Sequence, residues 1–388
     1  EPRGRRVSLY VCGITPYESA HLGHAFTYHV FDVLTRRLRQ TGLDVRSVRN
    51  VTDVDDDILR VAVERGIDFR VLTAEQVRRF DDDMTAINLL PVDASPHATA
   101  HVDAMVPWIA QLVDSGHAYV RDGWVFFRVA SDPGYGRVSH LGRAEMIALS
   151  RERGADPDDP RKEDKLDFVL WQASAPGEPR WPSPWGAGRP GWHIECSVLS
   201  TGELGTPIDI HGGGDDLVFP HHECEAAQAE GAGRTPYVRH WVHCAMVRYQ
   251  GEKMSKSLGN LVFVRDLLHE VPAATIRLLL ASHHHHTAWE YEPAMLQEAD
   301  ALRRRLERAV GSGTVIDADE TVEVRRRFDA RLDDDLDTPG ALQVAEELAA
   351  QLERGGAGGR AGNGAWVLSE LIGALGVAFE HVEARDSS

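Results

Sequence analysis

Only four cysteines occur in the 388 residues, Cys12, Cys196, Cys224 and Cys244. They are too few and too scattered to staple a small domain, so a disulfide scaffold is excluded and reduced thiols are expected. No stretch approaches the ~18 apolar residues of a membrane span, and no charged-then-apolar leader opens the chain, which predicts a cytoplasmic protein with no membrane partner. Positive charge is scarce. Lys and Arg number 42 against 60 Asp and Glu, a net charge of -18, which argues against broad adhesion to nucleic acid and leaves room for a local basic groove. The rest is ordinary globular material, 43% hydrophobic and 26% charged. A chain this long exceeds what one core organises, so two or three domains are expected.

Residues 7–13, VSLYVCG, run apolar and read as a buried first strand. The following ITPYESAHLGHAFTYHVFDVLTRRLRQTG begins in a Thr-Pro turn, becomes a long helical pattern and stops at Gly42, and DVRSVRNV reads as a second strand. Strand, helix and strand in that order open a parallel nucleotide-binding sheet. NVTDVDDDILRVAVERG is an acidic turn leading into a helix capped by Asp and ended at Gly66; its acids read as caps and solvated face, with a metal site as the alternative. Two amphipathic helical patterns follow between residues 73 and 117. From residue 118 the character changes. HAYVRDGWVFFRVA is a hairpin with an Asp-Gly turn, and a segment rich in Trp, Pro and Gly follows it to residue 190. This stretch reads as an insertion between two halves of the sheet, with Trp171, Trp181 and Trp185 as packing residues. Helical patterns recur at roughly 292–310, 317–332 and 338–354, and again in WVLSELIGALGVAFEHV. The expected division is therefore a first catalytic half over 1–117, a connective insertion over 118–190 and a second half over 191–250. A connecting segment over 251–290 and a helical domain over 291–388 complete it.

Chemistry concentrates between Trp192 and Glu225. Cys196 and His221 offer a thiolate and an imidazole, ligand types that zinc prefers, and Glu225 follows His221 by four residues, on the same face of a helix. The spacing is that of no zinc finger, so a metal site here needs a further ligand distant in sequence. The bland reading is a buried cysteine and capping histidines. On the residues alone both stand. IDIHGGGDDL places a flexible glycine turn after a strand, where the backbone of Gly212, Gly213 and Gly214 can lie against a base or sugar and Asp216 can accept from ribose hydroxyls. His21 and His24, with Gly23 between them near a helix N-terminus, can meet phosphate oxygens; an exposed histidine turn is the alternative. GEKMSKSLGN carries Lys253 and Lys256 on a glycine-flanked loop able to bring ammonium charge onto a polyphosphate, against an ordinary lysine loop.

HLGH early and KMSKS late, with a split sheet between them, resemble the class I aminoacyl-tRNA synthetases. VCGITPY, NVTDVDD, PGWHIECS, HGGGDDLVFPHHECE and GEKMSKSLGN resemble its cysteine-activating branch more narrowly. That branch comprises cysteinyl-tRNA synthetase and the mycothiol-pathway ligase that joins cysteine to glucosaminyl-inositol. The resemblance spans roughly residues 7–345. It implies an α/β fold, a Rossmann-like parallel sheet split by an insertion and followed by an α-helical bundle. It also implies one zinc ion per chain on Cys12, Cys196, His221 and Glu225, Cys12 being the distant ligand. The ion would bind the substrate cysteine's thiolate, with Trp192 closing over the side chain and Thr15 beside it. ATP, accompanied by Mg2+, would meet Gly23, His211, Gly212, Gly213, Gly214, Asp216 and Lys256, and the catalytic groups would be His21, His24, Lys253 and Lys256.

The implied reaction is activation of L-cysteine as cysteinyl adenylate, then transfer to an acceptor. ITPY after Cys12, DPDDP before LDFVLW, and no basic tail module after the last helical pattern resemble the ligase, so the expected acceptor is the amine of an aminosugar, glucosaminyl-inositol, on a monomeric enzyme. Glu225, HGGG and KMSKSLGN lean toward the synthetase, which keeps tRNA as the alternative acceptor, with another amine behind it. A silent paralogue that binds zinc, cysteine or RNA is the non-enzymatic alternative. His283–His286 departs from both relatives and is expected to be a loop without assigned role.

Overall fold

The computed structural model describes residues 4–17, 20–254, 259–355 and 361–379. In chain order the main elements begin with strand β1 (Arg6–Ile14), helix α1 (Leu22–Gln40), β2 (Asp44–Val51), α2 (Asp56–Arg65), α3 (Phe69–Ala86) and α4 (Val102–Asp114). Next come β3 (Ala118–Arg121), β4 (Trp124–Phe127), α5 (Arg143–Glu152), β5 (Phe168–Ala173) and β6 (Gly188–Pro190). They are followed by α6 (Trp192–Leu204), β7 (Ile208–Gly214), α7 (Glu223–Gly231), β8 (Val238–Cys244), β9 (Val247–Tyr249) and β10 (Glu252–Lys253). After α8 (Val264–Glu270), α9 (Ala273–Ala281) and β11 (Trp289–Glu290), the chain is mainly helical, with α10 (Pro293–Gly311), α11 (Ala318–Asp333), α12 (Thr338–Arg354) and α13 (Gly364–Ala374). The chain folds as two interleaved units. One comprises residues 1–18, 44–78 and 92–243, the other residues 19–43, 79–91 and 244–388.

The first unit is built on a sheet of order β2-β1-β7-β8. β1 pairs in parallel with β2 on one side and with β7 on the other, Leu9 opposite Ile210 and Val11 opposite Gly212. A central parallel strand is covered on both faces, which is why Val7, Leu9, Tyr10, Val11 and Cys12 are all buried. Its C-terminal end is fixed closely to β2. The Gly13 N–H donates to Asn50 Oδ1 at 2.7 Å, and a Cβ at Gly13 would overlap the Asn50 carbonyl oxygen. Gly13→Ala is expected to lower stability by about 1–3 kcal/mol, the usual range for overpacking, and to displace Cys12 beside it; denaturant unfolding of the variant measures the first effect.

Between the halves of this sheet runs an antiparallel sheet of order β3-β4-β5-β6. Its hairpin turns at Asp122 and Gly123, both with positive φ (50° and 79°), the conformation that two-residue hairpins require. Trp171 is fully buried in this layer. Of the acids after β2, Asp55 caps α2 as expected, accepting the Asp57 N–H, whereas Asp53 is buried rather than solvated and accepts the Thr99 N–H. One sequence expectation is corrected. His211–Gly214 is not a turn beyond a strand but the end of β7 itself. The ladder to β1 carries the strand through Gly212, and a Cβ at Gly213 would come within 2.8 Å of the Leu217 side chain.

The second unit is largely helical, with a small sheet of order β10-β9-β11. The Arg277 guanidinium is fully buried, paired with Asp32 on α1 and donating to the Leu375 carbonyl at 2.7 Å. Leaving either partner alone would strand a buried charge, so this pair fastens α1 to α9 and to the end of α13. Among the described residues no helix is long and apolar enough to cross a membrane.

Candidate functional site

Cys12 near the end of β1, Cys196 on α6, His221 in the turn just before α7 and Glu225 in the first turn of α7 come together in the first unit although 213 positions separate the first from the last. All four are buried. Their ligand atoms lie within 4.8 Å of one another: Cys12 Sγ is 3.8 Å from Cys196 Sγ and 3.4 Å from Glu225 Oε1, which is 3.1 Å from His221 Nε2. The sulfurs are free thiols and are not bonded to each other. Two zinc–sulfur bonds of about 2.3 Å at a tetrahedral angle place their sulfurs about 3.8 Å apart. The donor set fits zinc in number, in softness and in this spacing.

Electrostatics set a condition on that fit. Burial pushes the Cys12 thiol well above its ordinary range, reinforced by the neighbouring Cys196 and Glu225, and burial also raises Cys196. Burial drives His221 well down, with His193 and His211 adding to it. A pocket that suppresses anionic sulfur and keeps imidazole neutral is one whose thiolates need a cation beside them.

The surrounding groups hold these four in place. His221 Nδ1 faces His193 Nδ1 at 2.9 Å, and the Trp192 indole stacks on the His221 ring at 4.2 Å between centroids. Glu225 Oε2 accepts from the Tyr237 hydroxyl at 2.9 Å and from His211 Nε2 at 3.0 Å, while Tyr237 also meets Ser200 at 2.7 Å. The His211 imidazole, expected beside ATP, is thus fully buried against Glu225. Below it, His222 lies between Cys12 Sγ (3.3 Å) and His243 Nε2 (2.7 Å). Cys12, His211 and His222 form a second donor group sharing one cysteine; with a single sulfur it suits zinc less well than the set with two. Partners that orient a ligand carboxylate are typically worth about 10- to 100-fold in metal affinity. Tyr237→Phe is expected to weaken zinc binding by that order, measured by competition with a chromophoric chelator; unchanged affinity would remove Tyr237 from this role.

His193, His222, Tyr237, His243 and Trp241, whose indole stacks on the His222 ring at 5.0 Å, are the members the sequence reading missed. Tyr237, Trp241 and His243 stand at alternate positions along or just before β8, a strand-face pattern that was there to be used. Thr15 follows β1 directly, and its carbonyl accepts from Tyr17. Gly212, Gly213 and Gly214 end β7, and Asp216 lies in the single 3₁₀ turn after it.

In the second unit His21, Gly23 and His24 come together at the N-terminus of α1. His21 is the cap, its Nδ1 accepting from the Gly23 N–H at 3.1 Å and the His24 N–H at 3.4 Å. The two rings stack at 3.8 Å, and burial lowers His24 to about 4. His21 therefore presents Nε2–H as a neutral donor at the positive end of a helix, the arrangement that receives phosphate. A Cβ at Gly23 would sit 3.0 Å from the His21 ring. Lys253 lies exposed in β10, its carbonyl accepting from Asn260. Lys256 lies outside the described residues.

Residues 2–301 match the family described as tRNA synthetases class I (C) catalytic domain. The L-cysteine:1D-myo-inositol 2-amino-2-deoxy-alpha-D-glucopyranoside ligase of Frankia casuarinae is 48% identical over 355 residues, 90% of this chain and 76% of that protein. The cysteine–tRNA ligase of Thioalkalivibrio sulfidiphilus is 46% identical over 387 residues, 98% of this chain and 82% of that one. Among solved structures, methionyl-tRNA synthetase of Mycobacterium tuberculosis bound to methionyl-adenylate superposes with a TM-score of 0.68, covering 96% of this chain and 90% of its own at 16% identity, a likeness of fold.

Proposed function

The chain belongs to the tRNA synthetase class I (C) catalytic-domain family, and on that footing we propose that it activates L-cysteine with ATP and transfers the cysteinyl group to the amine of glucosaminyl-inositol. The observation that carries cysteine as the substrate is the buried set of two thiols, an imidazole and a carboxylate beneath Trp192. A zinc ion held by Cys12, Cys196, His221 and Glu225 would supply a Lewis-acid seat for a thiolate, which a hydroxyl fills poorly. The aminosugar is supported by the relatives named as ligases for it, at 48% identity.

The residues then divide the work. The cysteine carboxylate attacks the α-phosphorus of ATP; the bond to the bridging oxygen breaks and pyrophosphate leaves. His21 donates Nε2–H to phosphate oxygen, its tautomer set by the backbone N–H groups on Nδ1. His24, stacked against it and neutral, keeps that ring in place. Lys253 and Lys256 bring positive charge to the polyphosphate as negative charge develops, and Mg2+ would accompany the ATP. The glycines of β7, with Asp216, would lie against the nucleoside. An amine then attacks the acyl carbon, forms the amide and displaces AMP. Two reduced cysteines 3.8 Å apart suit a reducing compartment, the cytoplasm.

A second reading has one observation in its favour. Glu225 is the residue that resembles the tRNA enzyme, and here it stands inside the donor set with two further hydrogen bonds holding it. Offering both acceptors to enzyme supplied with ATP and cysteine separates the readings. Cysteinyl amide on glucosaminyl-inositol with no charged tRNA is expected; cysteinyl-tRNA alone would overturn the aminosugar.

A further inference from the structure

The histidine run after α9 matches nothing in the proposed reaction, yet the fold gathers it around one carboxylate. His283 is structural: its Nδ1 bonds to the Leu279 carbonyl at 2.9 Å, and its ring stacks on Trp289 at 3.8 Å. The next three histidines turn to Asp335, in the short connection between α11 and α12. His286 Nδ1 lies 3.2 Å from Asp335 Oδ2, and His285 Nε2 lies 3.7 Å from Asp335 Oδ1. His284, His286 and Asp335 each offer a ligand atom within 4.8 Å of the others.

Two further observations set this apart from a chance surface cluster. Asp335 and Leu336 both have positive φ, 52° and 51°, a conformation that is costly for a leucine and is kept only where the surroundings impose it. It is this turn that presents the carboxylate. His285, between the two candidate ligands, is 4% exposed with Nδ1 lacking a partner among the described residues, so the middle of the loop is anchored inside the protein while its flanking imidazoles stay at the surface. The loop is also tied to the first residue of α12, Thr338, whose hydroxyl donates to the His283 carbonyl at 3.4 Å. His284 Nδ1 accepts from the His286 N–H at 3.3 Å, a long bond that curls the loop between the two rings.

We propose that His284, His286 and Asp335 form a second metal site, for a divalent ion of the zinc, cobalt or nickel type, that clips the loop after α9 to the connection between α11 and α12. Two imidazoles and a carboxylate select borderline ions over the hard Mg2+ and Ca2+, which prefer all-oxygen shells. The site holds three protein ligands and is open to solvent, so water completes the shell and the ion exchanges readily. It differs in kind from the buried cluster because it contains no sulfur.

That difference provides the test. Metal-stripped protein is equilibrated with Co2+ in parallel with His286→Ala and Asp335→Asn, and bound metal per chain is measured along with the near-ultraviolet and visible spectrum. The wild type is expected to hold one more equivalent than either variant. The thiolate-to-cobalt charge-transfer band, which reports sulfur ligands alone, is expected to be equal in all three. The difference between proteins is the readout, so it stands whether or not the buried cluster takes up metal. Equal equivalents in wild type and both variants would overturn the site, as would loss of metal confined to the thiolate band.

Discussion

Replacing Cys196 by serine is expected to remove zinc retention and cysteine activation together. Cys196 is 1% exposed, and its sulfur stands 3.8 Å from that of Cys12. Serine is close in size, so the fold has little reason to change, whereas a hydroxyl is a poor zinc ligand. Supporting groups one shell further out are worth about 10- to 100-fold in affinity, so a ligand itself should cost more than ~100-fold. Metal content after dialysis and the rate of cysteine-dependent adenylate formation are expected to fall in parallel. A variant that activates cysteine at the wild-type rate after metal removal would contradict the role given to this cluster.

Lys256→Ala is expected to slow adenylate formation by about 10²- to 10³-fold, the loss typical when one group that meets developing charge is removed. The chain contains four lysines, and two of them, Lys253 and Lys256, stand in GEKMSKSLGN. In a protein of net charge -18, positive charge on a tetra-anionic substrate has to come from particular residues rather than from the general field. Cysteine affinity should be nearly unchanged, because the lysine acts on the phosphates in the transition state. Rapid-quench measurement of pyrophosphate release separates the two quantities. A rate equal to that of the wild type would take the loop out of the chemistry.

Much of the fold was legible locally. β1 declared itself by its apolar run, α2 by Asp55 and Gly66 at its ends, and the β3–β4 hairpin by Asp122–Gly123 between its strands. The stretch His211–Gly214 misled because three glycines in a row signal a turn. Pairing with β1 won, a tertiary effect that no window of sequence contains. The metal candidates show the same limit more sharply. Cys196, His221 and Glu225 are visible within one stretch, but Cys12 stands 184 residues before Cys196, and only the family resemblance connected them. His193, His222 and Tyr237 remained unmarked because a buried histidine or tyrosine reads equally well as packing until its partner is known. Asp335 was unreadable as a partner of His286 for the same reason: 48 residues lie between them, and the positive φ that aims it leaves no trace in the sequence.

The central claim is that this chain selects cysteine by its sulfur and joins it to AMP. Exchange of labelled pyrophosphate into ATP by zinc-loaded protein measures that step before any acceptor is involved. Exchange is expected with cysteine and, for a site that binds the thiolate directly, is expected to be lower by about 10⁴-fold or more with serine. No exchange with cysteine, or comparable exchange with serine, would contradict the account.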